Sequence, residues 1–332
     1  MAYVPILSGR KGEFEALSKL RGTQVGDVLP IIEVMAGGRG TTADVREFIT
    51  RSRKFLPPGL SIGVDLDRLE AGTGDPLDPL REISDALDNF CTPVRPVIRP
   101  RADPTLLPGL RHAAELNGGH WIARLGRDGG DPAGSDVEAL AADTGLFIEG
   151  CDLIIELREI MSADGLRHAE SVVRAVGHWV RRYSWNSVTV AAGSMPASIS
   201  KLPKNQPTLL QRHEATLRLR TRDLGYQFGD YGIGHPRPLP PAGGHPIPSL
   251  RYTADEGWWI YRWAKHGKGY DSFGDLCATL MSNDHWPPEG AGFSWGDAEL
   301  AERTRGDRGF GDATKWIAWG TSHHLAFILS RL

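Results

Sequence analysis

The chain has 332 residues with a formal net charge of −3, of which 40% are hydrophobic and 24% charged. These values are typical of a folded globular protein and exclude disordered, collagen-like and membrane-embedded chains. The 38 Lys and Arg residues are balanced by 41 Asp and Glu. There is therefore no overall positive field for coating nucleic acid, and any phosphate contact has to come from a local cluster.

The three cysteines, Cys91, Cys151 and Cys277, lie far apart and form no CxxC pair. Neither a disulfide framework nor a cysteine zinc site is indicated, which fits a reducing compartment. The first apolar run is too short for a signal-peptide core, and no run approaches the roughly 18 apolar residues of a membrane span. We therefore expect a cytoplasmic protein with no membrane contact.

Short apolar runs, each long enough for one strand, recur along the first 231 residues. They are residues 3–7, 29–34, 61–66, 94–98, 121–125, 153–157, 187–192 and 226–231. Helical patterns separate them at residues 13–20, 43–55, 79–90, 105–116, 135–144, 165–181 and 208–222. This alternation predicts parallel strands joined by helices, and eight such units over about 230 residues match a (β/α)8 TIM-like barrel. A doubly wound open sheet is the alternative.

A proline-rich stretch follows the eighth predicted strand. Residues 232–249 contain six prolines and four glycines, which predicts an extended loop that forms a lid or wrap. Residues 236–241 could alternatively dock an SH3-like partner. Residues 249–253 could add one short strand, and the Trp-rich remainder has more aromatic surface than about 80 residues can bury alone. We predict a barrel domain at 1–253 and a mostly helical C-terminal extension at 254–332, packed on the barrel.

Charged residues end five successive predicted strands. Because side chains alternate along a strand, apolar Ile62 and Val64 are expected to face the helices, while Asp65 and Asp67 point into the barrel. The same alternation places further charges inside at the ends of neighbouring strands, namely Glu33, Arg99, Arg124, Glu156 and Arg158. Barrel enzymes have their active sites at this C-terminal face.

Two interpretations of these charges are open. In the first they line a pocket, where the arginines bind phosphate or carboxylate through two-point hydrogen bonds. Glu33, Asp65 and Glu156 are then the catalytic candidates, as a general base or as ligands of Mg²⁺. In the second, the acids and arginines pair only with each other, because buried charges survive when they are paired.

Three further pairs of polar residues are candidate ligand contacts. They are Ser194 and Ser198 after the seventh strand, Asp230 and Tyr231 at the end of the eighth, and Arg251 and Tyr252 after the proline-rich loop. The serines lie where barrels commonly bind phosphate, although a plain strand-to-helix turn explains them equally well. Arg212, Arg218 and Arg222 could contact nucleic acid, or simply form a solvated helix face.

Several short motifs resemble the beta family proteins, which are named after the beta protein of T-even bacteriophages. They are YVPIL and GRKGEFEAL at the start, LPIIEV at 29–34, VDLD at 64–67, FGDY at 228–231, RYT at 251–253, and the closing Trp319 with His323 and His324. The resemblance spans nearly the whole chain. It implies one continuous family domain in a phage-conflict or antiviral defence setting, with a protein partner from the same locus, and it names no reaction.

Two hypotheses for function follow. In the first, the protein is an enzyme that binds and acts on an anionic, phosphorylated or nucleotide-like ligand. In the second, it is a non-catalytic component that binds nucleic acid or a partner protein.

Overall fold

The structure is a computed structural model that describes residues 2–69, 78–100, 102–126, 132–237, 246–265, 270–305 and 309–332. The chain forms two compact units that alternate along the sequence. The barrel unit comprises Met1–Gly9, Arg21–Gly193 and His213–Tyr231, and the second unit comprises Arg10–Leu20, Ser194–Arg212 and Gly232–Leu332. The predicted domain boundary at residue 253 divides the chain differently, into a barrel and a C-terminal extension. That boundary stays a prediction.

The barrel unit contains a closed barrel of eight parallel strands. With strands numbered in chain order, these are β1 (Tyr3–Leu7), β2 (Ile31–Glu33), β3 (Ile62–Asp65), β4 (Val94–Ile98), β5 (Trp121–Leu125), β6 (Cys151–Glu159), β7 (Ser187–Gly193) and β9 (Gln227–Asp230). Strand β9 pairs with both β7 and β1, which closes the barrel and excludes the open-sheet alternative. The predicted TIM-like barrel is confirmed, and each barrel strand overlaps one of the predicted runs.

Helices follow the barrel strands. In the barrel unit they are α2 (Gln24–Asp27), α3 (Thr41–Phe55), α4 (Pro79–Asp88), α5 (Leu107–Leu116), α6 (Gly134–Thr144), α7 (Ala163–Val180) and α8 (His213–Arg220). Local sequence sets several of their starts. Asp78 caps α4 by accepting a hydrogen bond from the Arg81 amide at 3.1 Å, and Pro79 occupies the first turn. Ser162 caps α7 in the same way through the Gly165 amide at 3.1 Å.

Alternate side chains of the strands fill the barrel interior. The apolar layer consists of Val4, Ile6, Leu29, Ile31, Val97, Ile122, Ile154, Ala191 and Tyr231. Gly63 on β3 makes room for this layer, because a Cβ atom there would lie 2.4 Å from Cδ1 of Ile31 and 2.7 Å from Cδ1 of Ile122. Gly63 therefore faces inward, and so does Asp65 two residues later.

Within the described residues, the second unit contains a three-stranded antiparallel sheet and four α-helices. The strands β8 (Gln206–Leu210), β10 (Ser249–Thr253) and β11 (Trp258–Arg262) lie in the order β10-β11-β8. The helices are α1 (Lys11–Leu17), α9 (Ser272–Met281), α10 (Trp295–Arg303) and α11 (Ala313–Leu329). The C-terminal part is thus mostly helical, as predicted.

Two local predictions in the second unit need correction. Residues 208–210 were assigned to a helix but belong to β8, and the helix begins only at His213. Strand β11 lies within the region expected to be helical. Both strands owe their conformation to antiparallel pairing with each other, a long-range contact that has no counterpart in local periodicity.

Aromatic residues form the core of the second unit. Its main cluster contains Leu250, Tyr252, Tyr261, Trp263, Phe273, Leu276, Cys277, Leu280, Leu300, Trp316 and Trp319. Two glycines allow helices to pack closely against α11. A Cβ atom at Gly296 would lie 2.1 Å from the carbonyl oxygen of Trp319, and one at Gly12 would lie 2.6 Å from that of Thr314.

Most of the proline-rich loop cannot be compared with its prediction, because residues 238–245 lie outside the described residues. The interpretations of this loop as a lid or as an SH3-docking segment stay predictions. None of the helices in the described ranges combines the length and apolar character needed to cross a bilayer.

Candidate functional site

Five charged side chains from adjacent strands meet inside the barrel at the C-terminal ends of the strands, which we call the mouth. Glu33 ends β2, Asp65 ends β3, Arg99 directly follows β4, and Arg124 and Glu156 lie on β5 and β6. Parallel strands bring these ends together, and alternation turns the side chains inward. We call these five residues the charged cluster. Each is at most 7% exposed.

Arg124 lies at the centre of the charged cluster. Its Nε and Nη2 donate to the two carboxylate oxygens of Glu156 at 3.0 and 2.6 Å. Its Nη1 donates to Glu33 Oε1 at 2.9 Å and to Asp65 Oδ2 at 2.8 Å. The planar guanidinium group therefore satisfies three carboxylates from three strands, which is the geometry that favours arginine over lysine.

Arg99 shares the same carboxylates. Its Nη2 and Nε donate to Asp65 Oδ2 at 2.8 and 3.2 Å, and its Nη1 donates to Glu156 Oε2 at 3.1 Å. Glu33 Oε1 lies 3.6 Å from Nη2. The two arginines are on neighbouring strands, and the shared carboxylates neutralise the repulsion between them.

The surrounding charges decide the protonation state of Glu156. Burial by itself would raise its pKa, but the positive charges of Arg124 and Arg99 outweigh burial and hold the pKa well below its ordinary value. Burial would likewise lower the pKa of Arg124, yet Glu156, Glu33 and Asp65 raise it well above the usual range. Glu156 is therefore ionised and a weak base, which favours a positioning role over proton transfer.

Tyr231 joins the charged cluster from the end of β9. Its hydroxyl donates to Glu156 Oε1 at 2.5 Å, and burial together with the charge of Glu156 raises its pKa well above the ordinary value. The neighbouring Asp230 points the other way and accepts a hydrogen bond from the hydroxyl of buried Tyr3 at 2.5 Å. The structure thus places both residues, expected as ligand contacts, in buried hydrogen bonds.

Asp67 lies near two arginines at the mouth. Its side chain is 32% exposed, and its two carboxylate oxygens lie 4.0 Å from Nε of Arg68 and 4.0 Å from Nε of Arg99. The Nε of Arg68 is buried and has no hydrogen-bond partner. Arg68 was not predicted as a site residue, because it follows β3 and the alternation of side chains along a strand does not extend to it. The available signal was the polar run Asp65, Asp67, Arg68.

Arg158 does not follow the predicted alternation. A β-bulge between Glu156 and Arg158 shifts the register of β6, so that Glu156 pairs with Ala191 but Arg158 pairs with Ala192. Ala191 belongs to the interior layer, and its neighbour Ala192 occupies an outward position. The bulge therefore gives Arg158 an outward register, with a left-handed backbone at φ 53°, instead of the inward orientation expected.

The remaining candidates belong to the second unit. Ser194 Oγ donates to the carbonyl oxygen of Gln211 at 3.0 Å, and the exposed Ser198 accepts from the Ser200 amide at 3.1 Å. The bond of Ser198 is local to a turn, whereas that of Ser194 joins residues 17 apart in the chain. The buried Tyr252 hydroxyl donates to Asp297 Oδ1 at 2.7 Å, whereas Arg251 lies on the opposite face of β10.

Within the described residues no group of side chains is arranged to hold a metal ion, and the cavity in the barrel unit lies away from the charged cluster. Within the described ranges, no group of three or more His, Cys, Asp or Glu side chains is arranged to hold a metal ion, and Mg²⁺ stays an expectation. A cavity of about 110 Å³ lies between α8 and strands β7 and β9, lined by Leu217, Arg218 and Phe228 among others. The charged cluster does not line this cavity.

A family model described as Beta protein matches residues 3–330, nearly the whole chain. The chain belongs to the Beta protein family. The resemblance of its short motifs to this family is thereby confirmed, and the match covers residues of both units of this Beta protein family member.

Other comparisons add little to the family assignment. A search of curated proteins finds no match. Among solved structures, the chain is similar to catalytic-site mutants of active domain 2 of a chitinase from Pyrococcus furiosus, with 9% identity and a TM-score of 0.39. That match covers 69% of this chain and 82% of the chitinase domain, and at this level it carries no argument about the activity of a Beta protein family member.

Proposed function

We propose that the protein binds a small anionic ligand, phosphorylated or nucleotide-like, at the mouth of its barrel. The observation that carries the proposal is the buried Nε of Arg68, which has no hydrogen-bond partner. The Asp67 carboxylate at the mouth lies 4.0 Å from Nε of both Arg68 and Arg99. A phosphate group that replaced this carboxylate would meet two guanidinium groups, one of which has a buried Nε without a partner.

The charged cluster supports such binding by orienting Arg99. Asp65 and Glu156 hold its guanidinium group from two sides, so little side-chain freedom is lost when a ligand arrives. We therefore assign Glu33, Asp65 and Glu156 to positioning of the arginines. Asp67, with a side chain that is 32% exposed, is more exposed than these acids, which makes it the group best placed to accept a proton from a bound ligand.

The biological setting that we propose is phage conflict or antiviral defence in the cytoplasm. It rests on what membership of the Beta protein family implies. A protein partner from the same locus belongs to the same proposal.

The alternative of nucleic-acid binding is less well supported by the predicted arginines. Arg218 lies over the ring of Phe228 at 5.3 Å, and Arg220 pairs with Glu170 Oε2 at 3.3 Å. Arg212, in the second unit, is buried with its guanidinium 5.0 Å from the ring of Trp258. Aromatic rings of the protein thus engage Arg212 and Arg218, and the neighbouring Arg220 has an acidic partner, which favours the small-ligand proposal.

Calorimetric titration with ADP tests the proposal. Arg68→Gln removes one charge-assisted contact of about 1.5 to 3 kcal/mol and is expected to weaken ADP binding at least about tenfold. Asp67→Asn removes the competing carboxylate and is expected to strengthen binding.

The matched control is Arg95→Gln. Arg95 lies on β4, the strand that Arg99 directly follows. It pairs with Asp152 at 2.5 Å, near the opposite end of that strand. This variant should bind ADP as the unmodified protein does. Equal ADP affinity in Arg68→Gln and the unmodified protein would overturn the proposal.

A further inference from the structure

A cavity lies between helix α8 and strands β7 and β9, on the outer side of the barrel wall. Its volume is about 110 Å³, and every residue that lines it belongs to the barrel unit. Val190 and Ala192 line it from β7, where they alternate with the inward-facing Ala191 and so point toward the helix. Leu217 lines it from α8. The exposed Arg222 is also part of the lining, so the cavity opens to solvent.

The amino-acid sequence around α8 accounts for this cavity. Residues 214, 217, 218 and 221, on α8 and directly after it, lie three and four positions apart, which places them on the side that faces the strands. Three of the four are Glu, Arg and Thr, where a helix packed on a sheet usually carries apolar residues. Helix α7 shows the usual pattern, because Leu166, Val173 and Val180 are among its buried residues. Polar residues on α8 and the small Ala192 on β7 thus leave a space that apolar side chains fill beside α7.

The charges in the lining favour an anion. Arg218 holds its guanidinium group 5.3 Å from the ring centroid of Phe228, which also lines the cavity. Arg222 adds a second guanidinium group. Glu214, which is 2% exposed, is the one carboxylate among the described residues of the lining. Two cations and one anion leave a surplus of one positive charge, which a ligand with a single negative charge balances.

The walls of the cavity favour an aromatic ring beside that charge. Leu217, Val190 and Phe228 offer apolar surface, and a flat ring can pack on Phe228 in an offset or edge-on arrangement. A cavity of this order of size admits a single six-membered ring.

We propose that the cavity binds a small aromatic monocarboxylate. Its ring packs against the apolar walls, and its carboxylate accepts hydrogen bonds from the guanidinium groups of Arg218 and Arg222. The site goes beyond the proposed function, because the charged cluster at the mouth does not line this cavity.

Ligand-detected NMR titration of the unmodified protein with three probes tests the inference. Benzoate has both the ring and the charge, benzyl alcohol has the ring without the charge, and acetate has the charge without the ring. Benzoate is expected to bind at least about tenfold more tightly than either of the other two, because it alone uses both the apolar walls and the arginines.

Substitutions in the lining separate these two contributions. Arg222→Gln and Arg218→Gln are each expected to weaken benzoate binding about tenfold and to leave the weaker binding of benzyl alcohol unchanged. Ala192→Leu adds volume from the strand and Thr221→Leu adds it from the side of the helix, so each is expected to exclude both probes. The melting temperature shows which of these two variants is folded, and either one suffices.

Two controls locate the ligand. Arg220 lies on the same helix but pairs with Glu170 at 3.3 Å, so Arg220→Gln should bind benzoate as the unmodified protein does. Arg68→Gln should also keep benzoate binding, and loss of binding in that variant would place the ligand at the mouth and overturn the inference.

Three further results would overturn it. Benzoate binds the unmodified protein no more tightly than benzyl alcohol does, both lining arginine variants keep full affinity for benzoate, or a folded variant with the cavity filled still binds benzoate.

Discussion

The two units bury polar groups in different ways. In the barrel unit, three carboxylates and two guanidinium groups share one interior, and Arg124 alone donates four hydrogen bonds to them. In the second unit, the core is aromatic and encloses the pair His323 and Asp297, with Nδ1 of the histidine 2.9 Å from the carboxylate. The barrel interior thus buries a group of paired charges at its mouth end, whereas the second unit buries its polar pair within an aromatic core.

Close packing also positions the polar pair of the second unit, His323 and Asp297. The ring of His323 stacks on Tyr252 with centroids 3.7 Å apart, and its Nε2 lies 2.8 Å from the carbonyl oxygen of Thr253. A close helix contact at Gly296 lies directly beside it. Substitutions that remove a charge should therefore affect the barrel unit most, and substitutions that add volume should affect the second unit most.

The largest effect is expected for Arg124→Met in the barrel unit. It leaves three buried carboxylates with one arginine, which should lower the free energy of unfolding by about 3 to 5 kcal/mol. Urea denaturation followed by far-UV circular dichroism measures this loss. The control Arg174→Gln, whose side chain is 43% exposed and pairs with the exposed Asp223 at 3.0 Å, should cost about 1 kcal/mol or less. Similar losses in both variants would contradict the electrostatic account of the barrel interior.

A smaller loss is expected for Gly296→Ala in the second unit. The added methyl group would lie 2.1 Å from the carbonyl oxygen of Trp319, so α10 and α11 have to separate at a cost of about 1 to 3 kcal/mol. Tryptophan fluorescence suits this measurement, because seven of the ten tryptophans follow residue 254. Gly292→Ala, where an added Cβ would meet nothing within 4 Å, is the control. Unchanged stability in Gly296→Ala would mean that the two helices are not tightly packed.

Acid should reduce the stability that Glu156 provides. Because its pKa in the folded protein lies well below the unfolded value of about 4.3, this stability is fully present above that pH and is lost progressively as pH falls from there toward the folded pKa. The difference in free energy of unfolding between the unmodified protein and Glu156→Gln should therefore shrink between pH 6 and pH 3. A difference that stays constant over this range would show that Arg124 and Arg99 do not stabilise the ionised form.

The smallest effect is expected at His285 in the second unit. Burial lowers its pKa, and the ring stacks on Trp259 with centroids 4.5 Å apart. Stability should therefore fall as pH falls below the unfolded value of about 6.5, because the unfolded chain takes up the proton more readily. In His285→Gln this loss between pH 7.5 and pH 5.5 should be smaller, as followed by tryptophan fluorescence. The exposed His178 serves as control, and His178→Gln should keep the full loss.

The comparison also explains which parts of the molecule could be predicted. Each barrel strand is a short apolar run between helical patterns, and its charged end follows from alternation, so Glu33, Asp65, Arg99, Arg124 and Glu156 could be grouped before any coordinates were known. In the second unit the short strand expected at 249–253 corresponds to β10, whereas β8 and β11 give no such signal, because they depend on each other as partners across about 50 residues. Strand β8 contains Pro207, and the aromatic residues of β11 fit helix or strand equally well.

The sequence by itself determined the barrel class and the inward charges, because both follow from periodicities of two and 3.6 residues that are local properties of the chain. Only the tertiary structure decided three further matters. The β-bulge of β6 turned Arg158 outward, the hydrogen-bond geometry made Arg124 the centre of the charged cluster, and the placement of α8 beside β7 and β9 left a cavity lined by Arg218 and Phe228. Each of these depends on distances between residues far apart in the chain, which no local pattern encodes.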